Sequence, residues 1–140
     1  MSESIHVDIV SAEGEIYSGA AKMVFLPAAE GEIGVAPRHA PLLTLLKAGE
    51  VRVQPVEGEE QSFYVGGGAL EVQPLRVTVL ADTAARAHDL DEAAALAARQ
   101  RAEEALAGKI DKLGQAEALA ELARAAAQLK LIERLRKIRG

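Results

Sequence analysis

The side chains able to do chemistry are few, and their spacing does not assemble a reaction centre. His39 follows Arg38 between Pro37 and Pro41, while His6 and His88 stand isolated. A histidine acting as general base needs a nucleophile or an orienting carboxylate in a recognisable motif, and none accompanies these three, so contact or structural roles are expected. Glu30 and Glu32 could offer oxygens to a cation, but no Asp, Asn or His joins them at loop spacing, and exposed turn carboxylates are the plainer reading. Gly66-Gly67-Gly68 would need a following helix to cradle a phosphate; a strand pattern follows instead, so a tight β-turn is expected. The chain has no cysteine, which removes disulfides, thiolate nucleophiles and cysteine metal sites together. The expectation is a non-catalytic protein without a cofactor.

What remains is docking. In residues 30–46, EGEIGVAPRHAPLLTLL, Gly31, Gly34, Pro37 and Pro41 fall within eleven positions, so the backbone must turn, run briefly extended and be held stiff around Arg38-His39-Ala40. The residue before each proline is pushed toward extended geometry, which presents Arg38-His39 as a rigid bump and leads residues 42–46 into a strand expected to be central and buried.

The elements that carry this ridge divide the chain in two. Residues 5–9 alternate apolar and polar with period two, and short extended runs recur at 15–17, 22–26, 33–35, 42–46, 51–53, 61–65, 70–72 and 77–80. Turn signals separate them, among them Glu13-Gly14, Ala48-Gly49, Glu57-Gly58, the glycine triplet and Pro74. Closely spaced strands with no helical pattern between them predict an antiparallel β-sandwich over Met1–Arg86. Beyond Asp82-Thr83 alanine dominates and β-branched residues nearly vanish, predicting helix over Ala87–Gly140. Asp89 with Glu92 fits a capping box, Gly108 a stop, and Asp111 the cap of a second helix over residues 112–138. So short a link predicts an antiparallel hairpin whose seam is drawn from Ala94, Ala98, Ala102 and Ala105 against Ala116, Ala120, Ala123 and Ala127. On the second helix Leu119, Leu122, Ala126 and Leu129 face away from Leu131, Leu135 and Ile138. Either the last turns pack under the sandwich or the helix has two resting places.

Composition narrows the partners. At 140 residues with 49% hydrophobic but 3% aromatic content, the core must be aliphatic. No apolar run is long enough to span a bilayer, and no basic-then-apolar leader opens residues 1–10, so a cytoplasmic location with only indirect membrane contact is expected. The net charge of -5 argues against a nucleic-acid partner. Six of the 16 basic residues but one of the 21 acidic ones lie in residues 122–140, leaving a body at -10 and a tail at +5. Such a tail is either a solvated helix face or a contact for an acidic partner.

The segments SAEGEIYSG (11–19), EGEIGVAPRHAPLL (30–43), YVGGGALEVQ (64–73) and VTVLADTA (77–84), followed by DLDEA (89–93) and an alanine-rich hairpin, resemble the epsilon subunit of bacterial F-type ATP synthases across the whole chain. The resemblance implies a central-stalk rotor subunit, peripheral at the cytoplasmic face of the inner membrane, that couples c-ring rotation to the catalytic head and inhibits ATP hydrolysis through its C-terminal helices. By the same likeness Gly31 and Glu32 would touch the c-ring, Ser11, Arg38 and His39 the gamma subunit, and Arg124, Lys130 and Arg134 an acidic segment of the beta subunit. Some members bind ATP through Ile or Leu followed by Asp-x-x-Arg-Ala. Here Leu90-Asp91-Glu92-Ala93-Ala94 puts alanine where the arginine belongs, leaving Asp91 with Arg101 as a weak substitute, so ATP binding is not expected. A rival reading is a free-standing β-sandwich module that dimerises through its hairpin.

Overall fold

The computed structural model describes residues 3–139, with the side chain of Arg139 left out. Met1 and Ser2, the first residues of the predicted sandwich span, and Gly140, the last of the predicted helical span, therefore lie outside the described residues. The chain forms two compact units that divide between Arg86 and Ala87.

The first unit is built from β1 (Ile5–Ser11), β2 (Gly14–Ala28), β3 (Gly31–Val35), β4 (Leu42–Pro55), β5 (Gln61–Gln73), β6 (Arg76–Ala81) and β7 (Ala84–Arg86). They follow the order β1-β6-β5-β4-β2-β3, and β1 also pairs with β2, so five strands close on themselves while β3 and β7 add at the sides. Closure leaves few open edges to pair wrongly. One pair, β1 with β6, is parallel within an otherwise antiparallel set. Inward positions are filled by Ile5, Val7, Ile9, Val24, Leu26, Val51, Val53, Phe63, Val65, Leu70, Val72, Val77 and Val79, all fully buried. This is the aliphatic core that the composition requires. Phe63, its largest member, lies between the Tyr17 ring at 5.3 Å and the Arg86 guanidinium at 5.4 Å. Arg86 also donates to the Ile16 carbonyl at 3.1 Å, which ties the last residue of the unit into its body.

Several short runs merge into long strands. The expected turn at Ala48-Gly49 is absent because β4 continues through it, with Gly49 packed so closely on Pro27 that an added Cβ would stand 2.8 Å from the proline ring. The glycine triplet is likewise no β-turn but lies inside β5. There Gly67 and Gly68 take φ of 100° and 137° as β5 changes partner from β7 to β6. A Cβ on Gly68 would sit 2.1 Å from the Leu80 carbonyl oxygen, so the glycine is required by close approach of two backbones.

The second unit opens with a 3-10 turn, Ala87–Asp89, followed by α1 (Glu92–Ala107) and α2 (Lys112–Arg139). Helix α1 is capped by Asp91, whose Oδ1 accepts from Ala94 N–H at 3.2 Å, and not by Asp89, which the 3-10 turn absorbs. Gly108 ends α1, and Asp111 caps α2 by accepting from Gly114 N–H at 2.7 Å. The most buried alanines are Ala95 and Ala102 on α1 and Ala118 and Ala125 on α2. Of the predicted seam only Ala102 falls among them; Ala94, Ala116, Ala120 and Ala123 are exposed. Seven-residue spacing on each helix selects the seam, and alanine is too abundant here for its position alone to reveal that register. Across the hairpin Arg101 pairs with Glu121 at 3.2 Å and Arg136 with Glu92 at 2.6 Å. Among the described residues no helix is long and apolar enough to cross a membrane.

Candidate docking surfaces

Residues 42–46 were expected in the core, but only Leu46 is buried there. Strand alternation sends Leu43 and Leu45 outward, 77% and 67% exposed. Leu45 is in register with Ala69, Ala69 with Leu80, and Leu80 with Val10, so four apolar residues lie side by side across β4, β5, β6 and β1. Leu80 is 54% exposed. At strand spacing the row is roughly 14 Å wide. A contiguous apolar patch on a sheet face marks an interaction surface far better than scattered apolar residues do. The continuous apolar run concealed this row, since pattern alone cannot distinguish a doubly buried strand from one whose outer face awaits a partner.

The predicted ridge stands at the approach to this face. Arg38 has φ of 68°, its N–H donates to the Pro74 carbonyl at 2.7 Å, and its guanidinium pairs with Glu3 at 3.2 Å. His39 donates from Nδ1 to the Ala40 carbonyl at 2.7 Å, which orients its ring. The chain then enters β4 and reaches Leu43. Ser11, at the end of β1 beside Val10, accepts from Glu13 N–H at 3.3 Å and so shapes the β1–β2 turn.

A polar cluster borders the leucine row on β1, β2 and β6. Asp8 accepts from Ser18 Oγ at 2.7 Å and from Arg76 Nη1 at 2.7 Å, and His6 Nε2 lies 3.0 Å from Asp8 Oδ1 and from Ser18 Oγ. His6 is therefore not isolated, contrary to expectation. The trio holds the residue types of a catalytic triad, but His6 meets both partners through one nitrogen and cannot take a proton from Ser18 while Asp8 holds its opposite side. Burial acts to raise the Asp8 pKa, but hydrogen bonds from Ser18 and His6 and the charges of His6 and Arg76 outweigh it, leaving the carboxyl below its ordinary range.

At the far end of β2 and β3, Gly31 takes φ of 137° to open the second strand of the hairpin, and Glu32 pairs with Arg52 at 3.3 Å. On the hairpin unit, Arg136 and Lys137 are taken up by Glu92 and Glu133. Arg124 is half-buried, Lys130 is exposed and Arg134 is half-buried. Asp91 and Arg101 are not brought together: Asp91 caps α1, Arg101 pairs with Glu121, and about 15 Å of helix rise separates them. Among the described residues no three His, Asp or Glu side chains gather in a way that could hold a metal ion.

The first unit thus carries an exposed apolar row and a stiff proline-flanked ridge, and the second is a two-helix hairpin. Residues 4–87 match the family of ATP synthase Delta/Epsilon chain beta-sandwich domains, and residues 88–133 that of the Delta/Epsilon long alpha-helix domain. The chain is 64% identical to the ATP synthase epsilon chain of Nitrosococcus oceani over all of both chains. It is 63% identical to that of Alkalilimnicola ehrlichii over 96% of each. Its fold is similar to a chain in the Euglena gracilis mitochondrial ATP synthase, with a TM-score of 0.70 at 18% identity, covering 98% of this chain and 82% of that one. The chain belongs to the ATP synthase epsilon-chain family, whose members are stalk subunits and not the catalytic subunit.

Proposed function

We propose that this stalk subunit couples rotation of a c-ring to the catalytic head and restrains ATP hydrolysis through its C-terminal helices. The exposed leucine row on the sandwich carries this reading, because a stalk subunit needs one face that grips the shaft firmly enough to turn with it. Gamma is the natural occupant, with Ser11, Arg38 and His39 at the margins of the contact and the Gly31-Glu32 tip left for the c-ring. The hairpin supplies the brake. Its seam is built mainly of alanine, which buries little area, so at roughly 25 cal/mol per Å² the helices separate at modest cost. A difference of only a few kcal/mol between packed and extended hairpins then decides which one dominates. Arg124, Lys130 and Arg134 are the groups we assign to an acidic segment of the beta subunit. The Ala94 substitution within the ATP motif and the separate engagements of Asp91 and Arg101 leave ATP without a role in this reading.

The test is to truncate the chain after Arg86. Among the described residues the core of the first unit draws on none beyond Ala84, and Arg86 keeps its own contacts, so the remaining unit is expected to fold. It is expected to bind gamma as the full chain does while ATPase activity of the reconstituted complex rises. Unchanged hydrolysis would remove the brake, and lost gamma binding would remove the docking face. A full chain that self-dimerises tightly in size-exclusion chromatography and ignores gamma would instead restore the free-standing module.

A further inference from the structure

The β2–β3 tip has a support that the sequence reading did not single out. Arg52 on β4 is in register with Phe25 on β2, and Phe25 with Gly34 on β3. Because Gly34 lacks a Cβ, which would stand 3.1 Å from Phe25 Cε1, the phenyl ring lies over the edge strand. The Arg52 guanidinium stacks on that ring at 4.4 Å from its centroid. It then reaches Glu32 at 3.3 Å and Glu60 at 3.7 Å. Isolated surface ion pairs contribute little, but here one Arg52 side chain, 26% exposed, brings its guanidinium to an aromatic face and two carboxylates at once.

We propose that Arg52 is the positioning residue of the tip: it holds the Glu32 carboxylate on the Phe25 platform, so that the tip meets its partner already ordered. The group Glu32–Arg52–Glu60 keeps one net negative charge, which fits a partner loop offering cations or hydrogen-bond donors. The inference rests on the reading of Glu32 as a c-ring contact. Ordering one long side chain in advance is expected to change affinity by about two- to tenfold.

The experiment compares wild type, Arg52→Gln, Arg52→Lys, Phe25→Leu, Glu32→Gln and the Arg52→Gln/Glu32→Gln double variant, each as full chain bound to gamma, titrated with detergent-solubilised c-rings. Gamma affinity, expected unchanged, reports that each variant is folded. Arg52→Gln should weaken c-ring binding about fivefold, Glu32→Gln at least as much, and the double variant no more than Glu32→Gln, since both act through one carboxylate. Arg52→Lys, which keeps the charge, should recover part of the loss, and Phe25→Leu, which removes only the platform, should share it. If Arg52→Gln has no effect while Glu32→Gln weakens binding, or if the two effects add, the positioning role is overturned. If neither substitution alters c-ring binding, it is the c-ring assignment itself that fails, and the positioning role falls with it.

Discussion

Replacing Leu45 and Leu80 together by alanine separates docking from folding. Both side chains point away from the core and stand 67% and 54% exposed, so what they still show to solvent is what a partner would cover. Complete burial of a leucine contributes about 1.5–3 kcal/mol, and scaling by the exposed share puts the loss for both truncations at about 2 kcal/mol, or about thirtyfold in Kd for gamma. Folded stability should fall by about 1–2 kcal/mol, because about a third of Leu45 and nearly half of Leu80 are already covered in the isolated chain, which leaves the fold intact. Leu70 is the internal control. It lies in register between Thr44 and Val79 but faces inward and is fully buried, and its truncation to alanine should cost about 2–5 kcal/mol of stability through the cavity it leaves. The measurements are calorimetric titration of each variant with purified gamma, and urea unfolding of each variant alone. Undiminished gamma affinity in the double variant, with the fold intact, would show that the leucine row is not the shaft-gripping face.

Two further outcomes follow from the backbone and the polar cluster. Gly68→Ala should destabilise the sandwich by at least about 3 kcal/mol, since its φ of 137° is strained for any L side chain and the clashing atoms at Leu80 and Ala81 are backbone that cannot rotate away; Gly67→Ala, with its nearest contact at 3.3 Å from the Asp82 carboxylate, should cost less in the same denaturant titration. Asp8→Asn should be less stable than wild type by about 1–2 kcal/mol at pH 7 through the lost charge-assisted hydrogen bonds. Because the folded pKa of Asp8 is held below its ordinary value of 3.8, that advantage is present above pH 3.8 and disappears as pH falls through the folded value. The two unfolding curves should therefore converge below about pH 4, and a gap that stays constant across pH would refute the assignment.

The chain itself determined whatever depends on near neighbours along it. The stop at Gly108 and the cap at Asp111 follow from backbone preferences acting within one turn, the change of texture after Asp82-Thr83 passed over only the three-residue strand β7 before the helices begin, and the quoted segments carried the family with them. The misread cap shows the limit of that scale: Asp89 and Asp91 are both competent, and the 3-10 turn over Ala87–Asp89 chose between them. What only the tertiary structure decided is which face of each element meets which neighbour. Leu43 and Leu46 have nearly the same local surroundings, yet one is 77% exposed and the other buried, because the register of β4 against β2 and β5 assigns them to opposite sides. The same holds for Ala94 against Ala95, and for Arg52, whose partners Phe25, Glu32 and Glu60 come from three separate segments of chain. Propensity acts within a few bonds, whereas the side a residue faces is set by strands and helices that arrive from far along the chain, and no local pattern encodes that arrival.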